Sequence, residues 1–206
     1  MDFLSASPSI VRSVRQLDLL NSWLRAFARR QGLPRLGDYQ PERIADEMSE
    51  LMTFDVVGEG DHARFLITHV VTRLTSAYGN EHIAPEQRTN RYLDDAVGLV
   101  RYGRIVAHYR ACLKAGRPAY SVSMLRDADG KEVSYERLLL PFGSSAAISH
   151  IIGSYKTISI EGDFKIRNLM SAGAEDQPVN VIAAVINRDG ARSNSAHRIA
   201  DDLEFN

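Results

Sequence analysis

The feature that most constrains the fold is a pair of strand-like segments joined by a short polar turn. Residues 119–125 and 132–140 alternate Tyr, Val and Leu with smaller or polar residues. The turn between them contains Asp129-Gly130, and an Asp-Gly pair is a strong signal for an antiparallel hairpin. Because an isolated hairpin is marginally stable in water, these two strands need neighbours.

Three other segments have the composition of strands. Residues 51–57 and 63–71 are joined by the turn Gly58-Glu59-Gly60-Asp61, and residues 149–160 follow a connector at 141–145. The simplest arrangement that buries all five strands is one antiparallel sheet.

An amphipathic helix is predicted at residues 8–31, beginning at a Ser7 or Ser9 cap and ending at Gly32 and Pro34. Its apolar stripe repeats at intervals of three and four residues and is widened by Trp23. The stripe consists of Ile10, Val14, Leu17, Leu20, Leu24 and Phe27. Three surfaces could cover it, namely the core of the same chain, a second copy, or a membrane. The first two are favoured because the segment has no lysine cluster.

Two further helices are predicted, at residues 38–48 and 93–114. The second carries one apolar face, formed by Leu99, Tyr102, Val106, Tyr109 and Leu113. The predicted fold class is therefore α+β, with a five-stranded antiparallel sheet, helices on one face, a concave pocket beneath them and the N-terminal amphipathic helix. The expected organisation is an N-terminal helix at 1–36, a domain at 37–162 and a weakly ordered tail at 163–206, in which residues 179–186 could dock.

Composition excludes several classes of function. Lys and Arg total 25, and Asp and Glu total 26. This balance argues against a protein that binds nucleic acid through a basic face. The longest purely apolar stretch, residues 181–186, is far shorter than the roughly 20 residues of a membrane-spanning helix. The single cysteine, Cys112, excludes an intrachain disulfide and suits a reducing compartment. A cytoplasmic protein without membrane or nucleic-acid partners is expected.

Metal binding and catalysis have little support in the sequence. The histidines His62, His69, His82, His150 and His197 are scattered, with no pair at metal-ligand spacing. Ser144-Ser145 lacks the flanking glycines of a nucleophile elbow, and no glycine-rich phosphate loop is present. We therefore expect no metal and no catalytic residue.

Several blocks of residues, in order along positions 20–160, resemble one family. They are Trp23-Leu24-Arg25, Pro34, residues 38–44, Phe54-Asp55-Val56, residues 77–81, the continuous block 130–143, and Ile151-Ile152-Gly153. Together they resemble a divergent family of bacterial PAS-like domain proteins of similar length. The chain departs from the family at residues 68–72, where a Gly-Thr pair is usual, and at Ile83-Ala84-Pro85, where another glycine is usual.

The resemblance implies a sensory or interaction module. PAS domains bind a small molecule or cofactor between sheet and helices, or pair through the outer sheet face and an N-terminal helix. Haem is disfavoured because His108, on the predicted helix, falls roughly 130° from the centre of its apolar face, towards solvent. A flavin adduct is disfavoured because the residues around Cys112 differ from those around photosensor cysteines. The cofactor is therefore unknown. We expect Cys112 to pack as a small, half-buried apolar residue.

The predicted function is a non-enzymatic regulator in bacterial signal transduction that acts on signalling proteins in trans. A small-molecule sensor is the alternative, and an enzyme is a third, disfavoured one. The candidate cavity residues are His69, Tyr78, Tyr102, Tyr109 and Glu136. Glu136 would either pair with an arginine or recognise a polar ligand. The chain is also expected to form a homodimer, with an interface formed by Val14, Leu17, Leu20, Leu24 and Phe27.

Overall fold

The computed structural model describes residues 2–41, 51–69, 90–126, 132–144, 147–159 and 179–187. The strands are β1 Leu4–Ala6, β2 Leu51–Val57, β3 Arg64–His69, β4 Arg91–Tyr92, β5 Ala119–Arg126, β6 Glu132–Gly143, β7 Ile148–Ser159 and β8 Val179–Ile186. The α-helices are α1 Val14–Arg30, α2 Leu93–Val97 and α3 Leu99–Ala115. Short 3-10 turns occur at Pro8–Ile10, Leu36–Asp38 and Gly60–His62.

All eight strands form one sheet, in the order β1-β8-β5-β6-β7-β2-β3-β4. The five predicted strands lie side by side in its middle, and each neighbouring pair among them is antiparallel. The α+β class and the antiparallel pairing of these strands are therefore confirmed. The sheet is larger than predicted because β8 pairs with β5, β1 pairs in parallel with β8, and β4 pairs with β3.

Helix α1 is shorter than the predicted segment 8–31. It begins after Ser13, whose hydroxyl accepts a hydrogen bond from the backbone N–H of Gln16 at 3.4 Å. It ends at Gln31, which has a left-handed backbone conformation with φ of 55°. Pro8 starts a separate 3-10 turn rather than the helix, so the expected caps at Ser7 and Ser9 are wrong, whereas the predicted end at residue 31 agrees with the structure.

The apolar stripe of α1 packs on the sheet of its own chain. Leu20 and Trp23 are fully buried there, and the Trp23 indole N–H donates to the Pro141 carbonyl at 2.7 Å. Leu17, Leu24 and Phe27 pack against the same core, whereas Val14 is 73% exposed. Four of the five residues predicted to form a dimer interface thus pack on the sheet of the same chain, namely Leu17, Leu20, Leu24 and Phe27. Dimer formation itself stays a prediction.

Helices α2 and α3 pack on the face of the sheet opposite α1. They thus share one face, apart from the N-terminal helix, as predicted. Their partners in this second core come from β2, β3, β6 and β7. The two helices were predicted as one element, but Gly98, with φ of 76°, separates them. An ion pair holds α2 to β3, since Arg64 donates to both carboxylate oxygens of Asp94 at 2.9 and 3.0 Å.

The predicted division at residues 36 and 162 does not separate packing units, because α1 and β8 belong to the same fold as the central strands. Strand β6 continues through Pro141 to Gly143, where a connector was expected. The predicted helix at 38–48 lies mostly outside the described residues, as do Tyr78 and the turn at Asp129-Gly130. Among the helices described, none combines the length and apolar character that crossing a membrane requires.

Candidate functional site

Five buried or half-buried side chains form a polar and aromatic cluster between α3 and the sheet. We call it the α3-face cluster, and it consists of His108, Tyr109, Tyr135, Arg137 and Tyr155. Strand alternation explains how it forms, because Tyr135 and Arg137 are two residues apart on β6 and so share a face. Arg137 is paired in register with Tyr155 on β7, and α3 brings His108 and Tyr109 over that face.

The centre of the cluster is a pair of tyrosine hydroxyls. The Tyr109 and Tyr155 oxygens are 2.6 Å apart and buried. The Tyr109 ring packs against Phe54 and Phe65, while the Tyr155 ring stacks with Tyr135 at 6.1 Å between centroids. Burial raises the pKa of Tyr109 well above its usual value, so this hydroxyl keeps its proton at neutral pH.

His108 is buried, being only 3% exposed, which corrects the expectation that it faces solvent. The Phe3 ring packs edge-to-face against its imidazole, with 5.4 Å between the ring centroids. Burial, together with the charge of Arg137, lowers the pKa of His108 to about 3. The imidazole is therefore neutral at physiological pH, and its Nδ1 atom has no hydrogen-bond partner among the described residues.

Arg137 supplies a positive charge beneath α3. Its side chain is 6% exposed, and its guanidinium carbon lies 5.3 Å from the centroid of the Tyr135 ring. The charge disfavours protonation of His108 and favours ionisation of Tyr109. Both effects are those expected of a positive charge close to the two side chains.

Gly153 permits the position of Tyr155. A methyl group at residue 153 would overlap the Tyr155 ring and hydroxyl, which fold back over this glycine. Gly153 pairs with Leu139 on one side and Met52 on the other, so the backbone has little room to shift. The glycine in the Ile151-Ile152-Gly153 block thus places one of the two hydroxyls of the cluster.

The structure separates the candidate cavity residues predicted from sequence. Tyr102 and Tyr109 both belong to the core beneath α3, so the structure brings these two predicted residues together. His69 is exposed at the end of β3, and Tyr78 lies outside the described residues. Glu136 faces the opposite side of the sheet, because it alternates with Tyr135 and Arg137, and it does not share a site with Tyr109.

Beneath α1, Glu136 accepts a hydrogen bond from the Tyr120 hydroxyl at 3.1 Å. That hydroxyl also accepts from the backbone N–H of Arg12 at 3.2 Å. No arginine forms an ion pair with Glu136 in the described part of the chain, so the expected arginine partner is replaced by a tyrosine. The group anchors the N-terminal segment to the sheet and belongs to the packing of α1.

Cys112 is fully buried, and burial raises the pKa of its thiol. Its sulfur lies 3.8 Å from the Leu139 carbonyl oxygen, to which it donates. A buried thiol of this kind is inert towards oxidants, which agrees with the packing role expected for it. Across the described ranges, no three His, Cys, Asp or Glu side chains form a group that could hold a metal ion.

Comparison with models of known protein families and with curated proteins returned no match for this chain. The PAS-like resemblance consequently depends on the residue blocks themselves. Two of those blocks contribute directly to the sheet, since residues 132–143 form β6 and Gly153 lies under Tyr155.

Sequence reasoning missed His108, Arg137 and Tyr155 as members of one site. One signal was available, because Leu138-Leu139-Leu140 is a continuous apolar run, and such a run is typical of a strand buried on both faces. With both faces covered, Arg137 has to be buried beneath a helix rather than exposed.

Proposed function

We propose that this chain is a non-enzymatic, PAS-like regulatory module that acts by binding signalling proteins. The observation that carries the proposal is the arrangement of the residue blocks behind the resemblance. The five strands that contain or adjoin them are adjacent and antiparallel, with α2 and α3 against one face.

The test is affinity capture from the cell that makes the protein, with Leu20→Asp as the matched control bait. Leu20 is fully buried under α1, so a charge there unfolds the bait and retains only non-specific binders. We expect the wild type to enrich a kinase, cyclase or DNA-binding regulator that the control does not. Equal capture by both baits, or enrichment of metabolic enzymes alone, would contradict the proposal.

A small-molecule sensor is the second candidate function. It is favoured by one specific observation, namely that the α3-face cluster combines a buried cation with an imidazole nitrogen that lacks a described partner. Buried polar atoms are nearly always hydrogen-bonded in folded proteins. A ligand that supplies the missing acceptor or donor would stabilise the cluster. Native mass spectrometry of the freshly purified protein tests this candidate, because a retained non-covalent ligand supports a sensor and an empty core contradicts it.

A further inference from the structure

We propose that Ser149 is a covalent modification site, whose hydroxyl is activated by His150 and Asp55 to accept an acyl group from an activated ester. The three side chains lie at the end of the sheet where β6 is followed by β7, with β2 as the neighbouring strand. This modification is separate from the binding of signalling proteins proposed above.

Strand pairing places His150 opposite Asp55. The two residues are partners in the register of β7 and β2, so their side chains share a face of the sheet. The His150 Nε2 atom lies 3.4 Å from an Asp55 carboxylate oxygen. The other ring nitrogen, Nδ1, lies 2.7 Å from the Ser149 hydroxyl oxygen. The imidazole thus connects a hydroxyl to a carboxylate.

An irregularity in β7 brings Ser149 next to His150. Consecutive residues of a regular strand point to opposite faces of the sheet, and their side chains would not meet. Here Gly143 pairs with Ile148 while Phe142 pairs with His150, so Ser149 is the extra residue of a bulge. Because a bulge redirects side chains, it accounts for the contact between the hydroxyl and the imidazole.

Gly143 permits the turn that leads into this bulge. A methyl group at residue 143 would overlap the Ala147 carbonyl oxygen. That oxygen accepts a hydrogen bond from the backbone N–H of Ser144 at 3.0 Å, so it has little freedom to move away. The sequence therefore requires glycine at this position for the end of the sheet to keep its shape.

The two contacts of the imidazole fix its orientation and its tautomer. Turning the ring over would replace both nitrogens by carbon atoms and would lose both contacts. The negative charge of Asp55 favours the tautomer whose proton is on Nε2, which directs the Nδ1 lone pair at the Ser149 hydroxyl. The imidazole can then take the hydroxyl proton. A nucleophile, a base and a carboxylate that orients the base are the groups that activate serine in acyl transfer.

The exposure of the site determines the class of acyl donor. Ser149 is exposed, and the side chains of His150 and Asp55 are 35% and 41% exposed, so a donor reaches the hydroxyl directly from solvent. At an exposed site the oxyanion of the tetrahedral intermediate is stabilised by water, which is less effective than preorganised donors. The reaction therefore requires a good leaving group, which an activated ester has and an amide lacks.

The step can be written for p-nitrophenyl acetate as the donor. The Ser149 oxygen attacks the carbonyl carbon while Nδ1 of His150 takes the hydroxyl proton. The bond between Oγ and the acetyl carbon forms, the bond to p-nitrophenolate breaks, and the imidazolium releases its proton to water. The serine alkoxide is a far poorer leaving group than p-nitrophenolate, so the acetyl group accumulates on Ser149 and is not turned over.

The test is incubation of the full chain with p-nitrophenyl acetate, followed by peptide mapping by mass spectrometry. We expect acetylation of Ser149 and none of Ser9, an exposed serine whose hydroxyl contacts Ser7 instead of an imidazole. His150→Gln should slow the acetylation of Ser149 at least roughly tenfold, because the general base is lost. Asp55→Asn should slow it about threefold, a small factor because the charge pair is exposed, and Asp55→Glu should retain most of the rate.

Circular dichroism shows whether each variant is folded. If His150→Gln unfolds, the comparison of Asp55→Asn with Asp55→Glu still decides the matter. Equal acetylation of Ser149 and Ser9, or a rate that neither His150→Gln nor Asp55→Asn lowers, would overturn the activation of Ser149. Release of p-nitrophenolate that persists in Ser149→Ala and stops in His150→Gln would identify the imidazole as the acceptor and would also overturn the proposal. The capture experiment is independent of all these outcomes.

Discussion

Replacing Trp23 with alanine is expected to lower the free energy of unfolding by about 3–5 kcal/mol, the usual cost of truncating a buried aromatic residue. The indole is fully buried against the sheet and donates to the Pro141 carbonyl. The variant therefore loses apolar contacts and leaves a buried acceptor unsatisfied. Urea titration followed by circular dichroism measures the loss.

The control for Trp23→Ala is Val14→Ala, on the same helix but 73% exposed. It should change stability by less than about 0.5 kcal/mol. Both titrations are run at two protein concentrations, because the unfolding midpoint of an obligate dimer depends on concentration. A Trp23→Ala loss below about 1 kcal/mol, or a loss found only at the higher protein concentration, would contradict the packing of α1 on its own sheet.

The second large effect is a loss of stability in mild acid that originates at His108. Burial and the charge of Arg137 lower the pKa of this imidazole from 6.5 to about 3. Between these values the unfolded chain binds a proton that the folded chain does not, so stability rises with pH. Above pH 6.5 the neutral imidazole should therefore leave the stability of the folded protein undiminished. At pH 5 the proton bound by the unfolded chain should lower the free energy of unfolding by about 2 kcal/mol.

The measurement is the free energy of unfolding at pH 7 and pH 5 for the wild type and for His108→Gln. The wild type should lose about 2 kcal/mol more than the variant across this interval. His62→Gln, at an exposed position, should retain the full wild-type loss. If His108→Gln and the wild type respond equally to pH, the imidazole is accessible to solvent and the site has been described wrongly.

Much of the sheet was predictable because its signals are local. Residues 51–57 form β2 with the bounds expected from composition, and β5 and β6 pair antiparallel, as predicted for a hairpin. Alternation with a period of two and turn residues are signals that span only a few positions, so they can be recognised without knowledge of distant contacts. Strand β8 was also identified as a segment able to dock, but its partner β5 lies far away in sequence and could not be named.

Local signals did not predict which surface the apolar stripe of α1 covers, and they did not predict the N-terminal strand β1. Periodicity shows that α1 has an apolar stripe, yet it does not say whether the stripe covers its own sheet or a second copy. Strand β1 has three residues, too few to show alternation, and it depends on parallel pairing with β8. Such contacts follow from the global packing and not from local propensity.

His108 was misplaced for a specific physical reason. The predicted apolar face of α3 was centred on Tyr102, Val106, Tyr109 and Leu113, and it left out Cys112 and Ile105 on the neighbouring side. Both of these contribute to the core, and including them rotates the buried arc towards His108. The remaining cover comes from Phe3, more than one hundred positions away in the chain, which no helical wheel includes.

The central claim is that α1 and α3 cover opposite faces of one sheet within the same chain. Trp23, the only tryptophan, and Cys112, the only cysteine, report on the two faces, and both are fully buried. Their accessibility in native buffer, measured by acrylamide quenching of the tryptophan fluorescence and by reaction of the thiol with a sulfhydryl reagent, tests the claim most directly. The account predicts that Trp23 is shielded from acrylamide and Cys112 from the reagent until the protein is unfolded in urea. Ready quenching of Trp23 or rapid modification of Cys112 in the folded protein would contradict it.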